Sequence, residues 1–138
     1  MTYVSVANSP PVAYLDSSAL VKLIAIEAEA AALRQELRRW PDRASRLLVT
    51  VEVTRTARRL GGHAPGVAVG LLAGLRLLAI EPMVPAAAQI GGTTLRSLDA
   101  IHLATAAGIS RQLGALITYD QRMITGAQAL GLPVLSPA

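Results

Sequence analysis

Apolar and polar positions along the chain form short runs whose period changes from segment to segment. Val12 to Leu15 is an unbroken apolar run of the kind a buried strand shows, and it stops at Asp16. Ser17 to Ala25 then places Ala19, Leu20, Leu23 and Ile24 along one side at helical spacing. A second helix is expected over Ala28 to Trp40, where Leu33, Leu37 and Trp40 recur at i, i+4 and i+7 before Pro41 stops it. Leu47 to Thr50 reads as a second strand. Glu52 to Leu60 reads as a helix with Val53, Ala57 and Leu60 inward, carrying Glu52, Arg55 and Arg59 on its other face and ended by Gly61-Gly62. Val67 to Leu75 reads as a glycine-rich helix, Leu77 to Ile80 as a third strand, and Pro85 to Ile90 as a short helical turn. Leu98 to Leu113 carries Leu98, Ile101, Thr105 and Ile109 along one side and predicts a long helix with Gly114 behind it. Ala115 to Thr118 is a fourth strand, Gln121 to Leu130 a helix closed by Gly131, and Pro133 to Leu135 a fifth strand. Strands alternating with helices predict an α/β fold, a mostly parallel four- to five-stranded sheet covered by helices on both faces.

Length and composition narrow the class. One domain is expected over 12–138 of the 138 residues, preceded by a flexible polar arm, 1–11, that shows no secretory-signal pattern. The chain is 52% hydrophobic and has no cysteine, which removes disulfides, thiolate zinc sites and cysteine nucleophiles and suits a reducing cytoplasm. Its longest uncharged apolar-rich stretch, Gly61 to Leu75, is interrupted by Pro65, His63 and five glycines. A membrane span needs about 20 mostly apolar residues, so no membrane role is expected.

Charge adds a partner class. The net charge of +4 comes from 13 basic residues, of which Lys22 is the sole lysine. Guanidinium forks pair with phosphate oxygens bidentately, so an arginine-rich surface suits a nucleic acid, although GC-rich coding would enrich arginine too. With no phenylalanine, Trp40 alone and three tyrosines, the chain offers little platform for base stacking, and backbone contacts should dominate.

The candidate chemistry lies in the acids. Of nine acidic residues only four are aspartates, and Asp16, Asp99 and Asp120 all fall at element junctions, with Glu52 opening its helix after the second strand. Each is a plausible N-cap or first-turn residue favoured by the helix dipole. The strands of a parallel sheet also share a carboxyl edge where sites form, so the same four acids are candidates to converge. Clustered carboxylates repel one another, and a hard divalent cation with oxygen ligands is the natural compensator. Helix cap and ligand both remain open for Asp16 on this reading.

Four segments carry a resemblance to one family. The stretch LDSSALVKL (Leu15–Leu23), the helix TVEVTRTARR (Thr50–Arg59), LRSLDAIHLATA (Leu95–Ala106) and LITYDQRM followed by AQALGLPVLSP resemble PIN-domain proteins of the VapC type, in family order, from about Val12 to Pro137. The resemblance implies a PIN-like three-layer sandwich. It implies a divalent-metal-dependent endoribonuclease using Mg²⁺ or Mn²⁺, the toxin of a bacterial toxin–antitoxin pair, that cuts RNA to stop translation and growth. A cognate antitoxin, a homodimer and a toxin–antitoxin hetero-oligomer are its implied partners, and its implied place is the cytoplasm. Asp16 matches the central metal ligand, Glu52 the acid of the second motif, Asp99 the third ligand and Asp120 the more variable fourth, with Ser18 and Thr118 as supporting hydroxyls. One departure falls before Glu52, where the chain reads Val49-Thr50-Val51 and relatives often have serine-rich sequence.

Other residues are weighed beside these. His102 lies close to an apolar stripe, and packing or support of the site is the plainer role than catalysis. Arg55 and Arg59, on the helix of Glu52, and Arg96, just before Asp99, are the candidate RNA contacts, whereas Lys22 suits a solvated helix position. A non-catalytic PIN-fold module binding RNA or protein is the alternative. A phosphatase with an aspartate nucleophile ranks last, because Ser18 stands where such enzymes place a second acid.

Overall fold

The computed structural model describes residues 10–92 and 94–138. The expected N-terminal arm lies outside them except for its last two residues, Pro10 and Pro11, both exposed. The chain runs β1 (Val12–Leu15), α1 (Ser17–Ala25), α2 (Ala30–Leu37), β2 (Asp42–Arg46), α3 (Val49–Leu60), α4 (Ala64–Ala73) and β3 (Arg76–Leu78). A 3₁₀ turn (Glu81–Met83) then leads into α5 (Val84–Gln89), α6 (Ser97–Gly108), β4 (Leu113–Ile117), α7 (Gln121–Ala129) and β5 (Val134–Leu135). The five strands lie in the order β3-β2-β1-β4-β5, and every neighbouring pair is parallel.

That order explains the apolar run first met in the sequence. β1 is the central strand, paired with β2 on one side and β4 on the other, and helices cover both its faces. Alternate side chains therefore enter different cores: Ala13 and Leu15 pack with α1, α2, α3 and α4, while Val12 and Tyr14 pack with α6 and α7. The connections leave β1 first toward β2 and β3, then return to place β4 on its other side. The carboxyl ends of β1 and β4 thus flank the switch point where open α/β sheets form their crevice.

Several boundaries differ from the sequence expectation. The second strand is Asp42–Arg46 rather than Leu47 to Thr50. Its residues are polar, yet Ser45 and Arg46 are buried: the Ser45 hydroxyl donates to the Leu15 carbonyl at 2.6 Å and both terminal nitrogens of Arg46 have partners, while Arg46 Nε has none among the described residues. Leu47 and Leu48 form the turn into α3, which starts at Val49, so Glu52 sits within its first turn rather than at its start. The long helix expected to reach Leu113 ends at Gly108, and Leu113 opens β4. Helix α2 likewise stops at Leu37, leaving Trp40 beyond it.

The displaced Trp40 and the displaced Gly114 turn out to be partners. Gly114 lies inside β4, where the Trp40 ring and Pro11 occupy the space a Cβ would need. Gly114→Ala should therefore lower stability by about 1–3 kcal/mol, because the indole must be pushed off the sheet. Thermal unfolding of the variant checks this, and an unchanged midpoint would contradict it.

Candidate active site

Asp16 follows the last residue of β1 and is 2% exposed. It is the N-cap of α1, accepting from the Ala19 amide at 3.0 Å, so the capping reading of the sequence is correct as far as it goes. The same carboxylate does more than cap. Oδ1 also accepts from the Ser18 hydroxyl at 2.6 Å, and Oδ2 from the Thr118 hydroxyl at 2.5 Å across the β1–β4 crevice. Thr118 and Ser18 in turn receive the amides of Asp120 and Tyr119, at 3.2 and 2.9 Å. The two loops at the switch point are thereby stitched together through one carboxylate. Burial pushes the Asp16 carboxyl above its ordinary pKa, against the downward pull of Ser18, Thr118 and the Ala19 amide. Among the described residues no basic side chain pairs with it.

The other three acids line the same cleft, a cavity of about 260 Å³ that also touches Ser17, Ser18, Arg46, Arg96 and His102. Asp120 caps α7 through the Arg122 amide at 2.8 Å, and Asp99 accepts from the Arg96 amide at 3.3 Å in the first turn of α6. Glu52 takes a bond from the Ser17 hydroxyl at 2.7 Å and an ion pair from Arg46 at 2.8 Å. Every one of the four is therefore a first-turn or capping group and a wall of the cleft at once. Geometry that satisfies a helix start also points a carboxylate across the sheet edge.

Oxygen donors around one cleft are the ligand chemistry of a hard divalent ion, and an unpaired buried carboxylate at its floor is where such a charge would be compensated. Among the described residues no three acids or histidines are grouped tightly enough to hold an ion on their own. Mg²⁺ fits that spacing, since it keeps several waters and takes only one or two carboxylates directly.

The arginines divide into two sets. Arg55, Arg58 and Arg59 are exposed on α3 and line a groove of about 680 Å³ with Val51, Glu52 and Thr56. That groove meets the cleft at Glu52, and Arg96 is exposed on the rim beside Asp99. Arg46 is the residue sequence reasoning missed. It is 1% exposed, and the nearby Leu47 to Thr50 run draws the strand assignment away from it. Its one sequence signal is a lone cation a strand-to-helix turn ahead of Glu52. Lys22 binds Glu27 and Glu29 at 2.8 and 3.0 Å, which holds it in a surface ion pair away from the cleft.

A parallel sheet in this order, with acids gathered at the β1–β4 crevice, defines a PIN-type architecture, and the PIN domain family model matches residues 13–127. The chain belongs to the PIN-domain family, in its VapC-type branch. It is 44% identical to Ribonuclease VapC47 of Mycobacterium tuberculosis (strain CDC 1551 / Oshkosh), over 90% of this chain and 96% of that protein. It is equally similar, at 44%, to Ribonuclease VapC46 of Mycobacterium tuberculosis (strain ATCC 25618 / H37Rv), over 91% and 97%. Among solved structures, a toxin–antitoxin complex from Klebsiella pneumoniae aligns with a TM-score of 0.69 at 26% identity, over 91% of this chain and 98% of that one. The fold is also that of Mycobacterium tuberculosis VapC20, a sarcin–ricin-loop-cleaving toxin, at 17% identity and a TM-score of 0.70, over 91% and 99%.

Proposed function

We propose that the chain is a divalent-metal-dependent endoribonuclease that acts as the toxin of a toxin–antitoxin pair. Identity of 44% to proteins named as ribonucleases supports the activity. The observation that carries it for this chain is the buried, cation-free Asp16 at the switch point, facing a cleft walled by Glu52, Asp99 and Asp120 and continuous with an arginine groove. Asp16 and Asp99 would hold Mg²⁺ or Mn²⁺ directly, and Glu52 and Asp120 directly or through water. Such an ion, when bound, lowers the pKa of water and offsets charge on the phosphodiester.

The chain's own residues do the rest. Ser18 and Thr118 fix the Asp16 carboxylate through short hydrogen bonds, so it meets the ion without reorganising. Arg55 and Arg59 lie one and two turns along α3 from Glu52 and would grip flanking phosphates, with Arg96 beside Asp99 as a further contact. The presence of all four acids around one cleft argues against the non-catalytic alternative. A cognate antitoxin as partner, a homodimer and a cytoplasmic setting belong to the same reading, with the family as their support. No helix among the described residues is long and apolar enough to cross a membrane.

The test is cleavage of total RNA by the purified chain in Mg²⁺ or Mn²⁺, with the new ends sequenced. Defined cuts bearing 5′-phosphates are expected, and cleavage that survives excess chelator would overturn the mechanism. In an RNA-binding titration over a range of salt concentrations, Arg55→Ala with Arg59→Ala should weaken binding at every sequence. The slope of log affinity against log salt should fall by about 0.7 for each single-strand phosphate that the variant no longer neutralises.

A further inference from the structure

Beneath Glu52 runs a chain of hydrogen bonds that no cleavage step uses. The Tyr14 hydroxyl lies 2.7 Å from His102 Nδ1, and His102 Nε2 lies 3.1 Å from Ser17 Oγ. Ser17 Oγ is 2.7 Å from Glu52 Oε2, while Glu52 Oε1 is 2.8 Å from Arg46 Nη2. Arg46 Nη1 then donates to the Leu98 carbonyl at 2.6 Å, one residue before Asp99. Tyr14, His102 and Arg46 are all buried.

Proton counting fixes the direction of each bond. A carboxylate only accepts, and Ser17 owns one proton, which goes to Glu52 in the shorter, charge-assisted bond. Ser17 Oγ must therefore accept from His102, which places the ring proton on Nε2. Burial first, and then the Arg46 charge, holds the imidazole neutral, so Nδ1 is left as a lone pair and Tyr14 is the donor. The two hydroxyls that neighbour Tyr14 direct their protons elsewhere, Ser45 to the Leu15 carbonyl and Thr105 to the Ile101 carbonyl, both at 2.6 Å. Both His102 nitrogens are consequently engaged, and neither is free to meet a reacting water.

We propose that Tyr14, His102 and Ser17 form a one-way hydrogen-bond relay ending on Glu52 Oε2 that, with Arg46 on Oε1, locks the orientation of the Glu52 carboxylate in the cleft. These four are positioning residues. Their effect on turnover rests on the nuclease reading above, whereas the relay itself does not.

The relay is read directly by the tautomer of His102 in the metal-free chain, from long-range ¹⁵N–¹H correlation spectra, with exposed His63 as the internal reference. Wild type should show the proton on Nε2. A wild-type ring protonated on Nδ1 overturns the relay. Kinetics provide the second arm. Tyr14→Phe and His102→Leu should lower kcat about tenfold with KM for RNA unchanged. His102→Gln, which keeps an N–H donor for Ser17, should recover most of the loss, and equal defects in the Leu and Gln variants would contradict the proposal. Wild type that cuts no RNA would sink the nuclease reading and leave the tautomer result standing.

Discussion

Without metal, Asp16→Asn should melt higher than wild type, and with metal it should cleave RNA about 10³-fold more slowly or worse. Both effects come from one charge. The substituted amide keeps the Oδ1 acceptor for the Ala19 amide and the Ser18 hydroxyl, and its NH₂ donates to Thr118, so the cap and the stitch survive. The cost of holding an ionised carboxylate at 2% exposure disappears. Each kcal/mol relieved should raise Tm by about 4 °C. The pH dependence has a defined sign. The Asp16 pKa is raised by folding, so between its ordinary value of 3.8 and the higher folded value the native state binds more protons than the unfolded one. Wild-type stability therefore falls as pH rises through that window, and the Asn variant should lack this fall. Below 3.8 the two proteins should converge. Differential scanning calorimetry from acid to neutral pH, with and without Mn²⁺, checks it. A variant that melts lower than metal-free wild type at neutral pH would show that Asp16 is held for stability.

A loss of stability is expected from Arg46→Met. The substitution keeps an apolar stem of similar length but leaves the Leu98 carbonyl without its 2.6 Å donor and Glu52 without its ion pair. Breaking a fully buried pair costs about 3–5 kcal/mol, but the Glu52 side chain is 31% exposed and water partly replaces the missing partner. A cost of about 2 kcal/mol, or about 8 °C in Tm, is the expected result. Arg46→Lys should not restore it, because a single ammonium cannot serve both acceptors as a planar fork does. Urea titration measures the change. The double variant Arg46→Met with Glu52→Gln should show coupling of about 1 kcal/mol between the two sites. Additive losses would mean that the ion pair contributes nothing beyond its separate parts.

Most of the architecture was legible because local pattern and tertiary role agreed. β1 is apolar throughout and central, α1 shows its core face at helical spacing, and Asp16 announces a strand end. The strand before Glu52 was not legible, because a parallel strand is recognised by apolarity and β2 reads Asp-Arg-Ala-Ser-Arg. Its buried end is polar by virtue of partners that lie far away in sequence, Leu15 and Leu98 among them. The same non-locality hid Arg46 and Tyr14 as neighbours of the acids. The break between α6 and β4 was hidden differently, since Ile109 continues the helical stripe and only the turn at residues 109–112 ends it. The acids themselves were visible in the sequence because each also does a local job at a helix start.

The bond from Thr118 to Asp16 joins residues 102 positions apart. During synthesis the amino-terminal half of the chain leaves the ribosome first, so Asp16 is exposed long before its partner exists. β1 cannot complete its pairing until β4 arrives, and the crevice between them has no second wall before then. A nascent chain is thus without a formed cleft until β4 and Thr118 have emerged.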